Sequence, residues 1–173
     1  MDTNNDWVSS NAFNTWIGAE NDNWTNSGNW TNGVPTSDQS VGIYEWTLGN
    51  VAAISSNPTV GNLVISSTSS PQLNSNLTVN RNLILENNLD LNGNNITLGS
   101  SSYLLEGTGK LSGVAGTIST TRNLSNLSSL NVAGFGAVIT TAADMGSTTI
   151  TRGHTVQTGN GHESIKRYYE ITP

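Results

Sequence analysis

The stretch "LTVNRNLILENNLDLNGNNITL", residues 77–98, repeats an apolar–any–apolar triplet at steps of 6, 6 and 7, beginning at Leu77, Leu83, Leu89 and Ile96. Side chains alternate along an extended chain, so a strand of three residues shows two of them to one face. Strands of a sandwich recur about every 8 to 12 residues with hairpin turns between, which is too sparse for these beats. A three-sided parallel β-solenoid accommodates them. Three short strands then make one coil of 19 residues, and the next coil stacks on it at about 4.8 Å. On this reading Leu77 lies beneath Ile96, and "NLVI" at 62–65 lies one coil before "NLIL" at 82–85. Tyr103 and Leu105 are expected to continue the next side. Most parallel crossovers are right-handed, so a right-handed coil is favoured. Beyond Leu111 the pattern loosens into "SGVAGTISTTRNLSNLSSLNV", where coil boundaries are not legible.

Three textures divide the chain within one all-β domain. Residues 1–48 hold all five tryptophans, Trp7, Trp16, Trp24, Trp30 and Trp46. Residues 49–132 carry the short beats, and residues 133–173 carry longer alternating runs and both histidines. A solenoid's terminal coils present unpaired backbone groups that recruit other chains unless covered. The tryptophan-rich start is therefore read as an N-terminal cap, since each large aromatic buries roughly 150–250 Å². The C-terminal end is read as uncapped and leading toward a following domain. Asn80, Asn82, Asn88, Asn92 and Asn94 fall between beats, where the chain must turn corners and where stacked amides can bond along the solenoid.

Composition narrows the partners. Only 10% of the 173 residues are charged, and the polar remainder is mostly Asn, Ser, Thr and Gly, a mixture suited to turns and strands. Six Lys and Arg, scattered through a chain of net charge −6, offer no clustered basic surface for nucleic acid or anionic lipid. No apolar run reaches the roughly 18 residues of a spanning helix, so direct membrane insertion is not expected. With no cysteine there is no disulfide and no thiolate chemistry. Few lysines beside abundant Asn, Ser, Thr and Gly favour an exported, extracellular or cell-surface protein.

The arrangement of Trp24, Gly28, Asn29, Trp30, Gly33 and Pro35 in "NWTNSGNWTNGVP", residues 23–35, resembles the segment that opens β-helical modules in large secreted surface proteins of the Bacteroidota. "MGSTTITRGHTVQ" followed by "SIKRYYEITP" resembles a second segment found after such modules. The two cover about a third of the chain. The resemblance implies export by a type IX system and a role in adhesion, gliding or surface attachment. It carries over no catalytic residue. The chain ends at Pro173, directly after "EIT" and without the sorting domain of those proteins, so it is expected to be part of a longer multidomain protein.

Candidate sites are few. Glu86 and Glu106 lie 20 residues apart, a spacing that allows them to stack on neighbouring coils with Lys110 or Arg81 near, which is the best case for a lyase-like groove; solvated charges on a solenoid face are the favoured reading. His154, His162 and Glu163 have zinc-ligand chemistry, but no further ligand has supporting spacing and polar residues beside a turn are the favoured reading. Arg152, Lys166 and Arg167 form a small basic cluster expected to pair with Glu170 or Glu163, or to face a following domain. Asp2, Asn4 and Asp6 alternate as oxygen ligands do in calcium loops, although the loop glycine and the closing acidic ligand are missing. No cofactor is expected, with calcium at this site the one alternative. Trp24 and Trp30 are the candidates for stacking on a sugar, with burial in the cap as the default use of an aromatic.

These readings converge on a non-catalytic structural or adhesive module of an exported bacterial surface protein. The alternative is a carbohydrate-binding or lyase-like domain with a groove along one solenoid face. The expected partner is a surface polysaccharide or another cell-surface protein.

Overall fold

The computed structural model describes residues 13–44, 49–66, 68, 70–163 and 165–173. Strand β1 (Phe13–Trp16) precedes a first coil of β2 (Ser40–Tyr44), β3 (Ala53–Ile54) and β4 (Thr59–Val60). The second coil is β5 (Leu63–Ser66), β6 (Gln72–Leu73) and β7 (Leu77–Val79). The third is β8 (Leu83–Leu85), β9 (Leu89–Asp90) and β10 (Asn95–Leu98). The last comprises β11 (Leu104–Glu106), β12 (Leu111–Ser112) and the start of β13 (Thr117–Asn131). Corresponding strands pair in parallel, and the sides are β1-β2-β5-β8-β11, β3-β6-β9-β12 and β4-β7-β10-β13. The fold is a three-sided parallel β-solenoid, with no α-helix among the described residues.

Leu77 sits opposite Ile96, and Leu63 opposite Leu83, as the beats predict. The outer residues of each triplet point inward: Leu77 with Val79, Leu83 with Leu85, Leu89 with Leu91 and Ile96 with Leu98 are all buried. A single apolar core results, continuous from Trp16 to Ile150. The corners are held by side-chain carbonyls that accept backbone N–H groups of the next coil. Asn62 accepts from Asn82 at 3.0 Å, Asn82 from Tyr103 at 3.1 Å, Asn76 from Asn95 at 2.9 Å, Asn95 from Thr117 at 3.1 Å and Asn88 from Lys110 at 2.9 Å. Asparagine suits this position because its short amide reaches one coil spacing while its own backbone turns the corner.

The last coil departs from expectation. Leu104, not Tyr103 or Leu105, continues the buried row: it lies opposite Leu83 and is 3% exposed, whereas Tyr103 and Leu105 are 46% and 48% exposed. The corner between Leu98 and Leu104 makes this step 21 residues from Leu83, and a one-residue change of phase turns every side chain to the other face. The inward partner of Leu85 is therefore Glu106.

Both ends are covered. At the N-terminus β1 adds a parallel rung beneath β2, and Trp16, Trp24 and Trp30 join the core. At the C-terminus the first four residues of β13 complete the last coil, pairing with β10 as far as Thr120. The strand then continues into a hairpin with antiparallel β14 (Val138–Gly153), which carries on its other edge β17 (Tyr168–Thr172). A two-residue-strand hairpin of β15 (Thr158–Gly159) and β16 (His162–Glu163) lies between β14 and β17. Register shifts along β13, with positive φ at Asn126 and Ser129, bend the hairpin. Its tip, the turn Val132–Gly134 with Phe135, comes back against the solenoid, where Val132, Ala133 and Phe135 are buried. Gly134 has φ +73°, and a Cβ there would collide with the carbonyl oxygen of Leu104. The end read as uncapped is thus closed by the chain's own hairpin, a contact between distant residues that local pattern does not encode.

Candidate functional site

Trp24 and Trp30 are 1% and 4% exposed, and neither has a ring face open for a sugar. The three described tryptophans pack on one another, with ring centroids 6.3 Å apart for Trp16–Trp24, 5.0 Å for Trp16–Trp30 and 4.5 Å for Trp24–Trp30. The Nε1–H groups of Trp16 and Trp30 are used internally, donating to the carbonyls of Asn50 and Trp24 at 2.7 Å each. Buried Asn29 frames this cap by accepting the N–H groups of Glu20 and Asn21 and donating to Asn21 and the carbonyl of Asn23. The calcium candidates Asp2, Asn4 and Asp6 lie outside the described residues, as do Trp7 and Trp46. Among the described residues no three His, Asp or Glu gather as a metal set.

Glu86 and Glu106 are not in direct register: Glu106 occupies the position above Leu85, one residue out of phase with Glu86, and is bound to Arg152. The two carboxylates and Lys110 nevertheless line one groove of about 500 Å³, as their spacing led one to expect. Arg152 does not pair with Glu163 or Glu170: its side chain is fully buried on β14 and clasps Glu106 in a fork, Nη2 to Oε1 at 2.8 Å and Nη1 to Oε2 at 3.0 Å. Nη1 also donates to the carbonyl of Phe135 at 3.3 Å, which accepts the hydroxyl of Tyr169 at 2.9 Å. One ion pair thus ties the last coil, the hairpin strand, the hairpin tip and β17 together. Burial alone would raise the Glu106 carboxyl, but the hydrogen bonds and charge of Arg152, with the N–H of Leu111, outweigh it and hold the group below its usual value.

The two histidines part company. His162 is exposed on β16, while His154 is buried just beyond β14, its backbone N–H donating to the carbonyl of Gly116 at 3.2 Å. Burial, with the charges of Arg152 and Arg167, pushes its imidazole down to about 4, so it is neutral at pH 7. Neither ring nitrogen has a hydrogen-bond partner. The ring lines a cavity of about 500 Å³ whose wall includes Asp90, Asn92, Ser112, Lys166 and Arg167.

A second cleft, of about 550 Å³, opens between the last coil and the hairpin, lined by Ser101, Tyr103, Arg122, Leu130 and Asn131 among others. Arg122 stacks over the Tyr103 ring with its guanidinium carbon 5.0 Å from the centroid and donates to the carbonyl of Ser102. Sequence reasoning missed both clefts because each is walled by strands far apart in the chain. The only local signal was the phase change at Tyr103–Leu105, legible once "SSYLLE" is aligned with "NRNLILE" on its buried leucines. The chain matches no family model, no curated protein and no solved structure.

Proposed function

We propose that this chain is a non-catalytic structural and adhesive module of an exported bacterial surface protein. The observation that carries the reading is the closure of the solenoid at both ends by its own residues, tryptophans below and the Glu106–Arg152-braced hairpin above. A rod sealed in this way is a self-contained spacer, because its terminal backbone groups are not left to recruit other strands. The most strongly buried charged groups are committed to that closure, and of the two carboxylates that share a groove with Lys110, Glu106 is held by Arg152 in a two-point ion pair. The resemblance of residues 23–35 and of the C-terminal segment to surface-protein modules supports export and attachment.

The test pairs adhesion with chemistry. Beads coated with the chain are expected to stay on a polysaccharide- or cell-coated surface under flow, while the same polysaccharide keeps its length on incubation with the free protein. New reducing ends or unsaturated products would overturn the reading.

A further inference from the structure

The cavity beside His154 has features that the rod function does not use. Lys166 and Arg167 line it, and among the described residues neither makes an ion pair. In a chain of net charge −6, two adjacent unpaired cations on the wall of a cavity are a local reversal of sign. His154 is 3% exposed and lines the same cavity, with both ring nitrogens buried and without a partner. Buried polar atoms are otherwise almost always bonded. The rest of the polar lining is of different character: Asp90, whose Oδ1 accepts the N–H of Asn92 at 2.9 Å, together with Asn92 and Ser112. The volume of about 500 Å³ falls in the range of small-ligand sites, roughly 300–1,000 Å³.

We propose that this cavity binds a carboxylate-bearing sugar residue, of the uronate class found in acidic polysaccharides. Lys166 and Arg167 take the carboxylate, with the fork of Arg167 suited to bidentate contact. The His154 ring forms part of the wall against which the sugar lies. Asp90, Asn92 and Ser112 take hydroxyl groups. Charge selects among anions: two cations against Asp90 leave a net +1, which balances a monoanion, whereas a phosphate dianion meets Asp90 with its excess charge. The proposal goes beyond the structural reading, since a sealed rod with no ligand satisfies the one and not the other.

The chain has two histidines, so the imidazole signals of His154 and His162 can be followed separately by NMR. Titration with oligogalacturonate is expected to shift the His154 signals saturably and leave His162 in place, while the methyl-esterified oligomer does nothing. The Lys166→Ala/Arg167→Ala double variant should weaken binding at least tenfold with an unchanged melting temperature, and His154→Gln should weaken it less. An unmoved His154 signal at saturating oligogalacturonate would overturn the proposal. So would inorganic phosphate binding as tightly as the uronate, which would reduce the cavity to a general anion site, or an acidic peptide binding more tightly than either, which would assign it to a protein partner.

Discussion

Glu106 stands where the coil below has Leu85, and a carboxylate in a core row is tolerable only with its partner in place. Arg152→Met removes the partner and leaves the charge, and should cost about 3–5 kcal/mol in urea unfolding. The double variant Glu106→Leu/Arg152→Met should regain most of that loss, because leucine restores the row; equal losses in both variants would mean that the pair is not what stabilises the cap. Acid acts on the same region through two groups. Glu106 has a folded value below its unfolded one, so its contribution is present above the unfolded value and is lost as pH falls through the folded one. His154, displaced from 6.5 to about 4, is taken up by protons first in the unfolded chain, so stability falls as pH drops from 6.5 toward 4. The loss is on the order of 3 kcal/mol. Unfolding of His154→Gln followed across this window should be nearly flat by comparison, with the Glu106 contribution still failing at lower pH.

At the scale of elements, the strands are too short to hold themselves and depend on corners and caps. Asn82 accepts from the Tyr103 N–H and donates its own N–H to Asn62, linking three successive coils at one corner. Asn82→Ala should destabilise by about 1–2 kcal/mol by leaving that N–H without its acceptor, whereas Thr78→Ala, on the outward position of β7, should change unfolding little. The N-terminal cap is a packed aromatic element, and Trp24→Ala or Trp30→Ala should each cost about 3–5 kcal/mol, seen as a lower melting temperature. A tryptophan variant that keeps its melting temperature would contradict the packing of these rings in the core.

For the whole molecule, continuity of one core from the tryptophans to the hairpin means that the ends protect the middle. A chain cut after Thr120 retains every coil strand but loses the hairpin that covers Leu104 and the edge of β13. It should associate or precipitate at concentrations where the full chain runs as a single species in size-exclusion chromatography. Monodisperse behaviour of the cut chain would show that the hairpin is not a cap.

What the sequence determined by itself is the coil. Alternation along a strand is intrinsic to the backbone, so triplets at a fixed short step encode inward pairs, the registry of Leu77 with Ile96, and the asparagine corners without reference to anything distant. The use of the tryptophans as a cap was legible for the same reason, since apolar bulk at the end of a narrow core has one place to go. Tertiary structure alone decided the rest. The phase of Leu104 depends on how a corner is spanned, and one residue more or less inverts the face. The partnership of Glu106 with Arg152 joins residues 46 apart in sequence. The His154 cavity is walled by the third coil, the loop after β12 and the segment before β17. Such contacts arise only when a bent hairpin lays one end of the chain over another, and no local period carries that information.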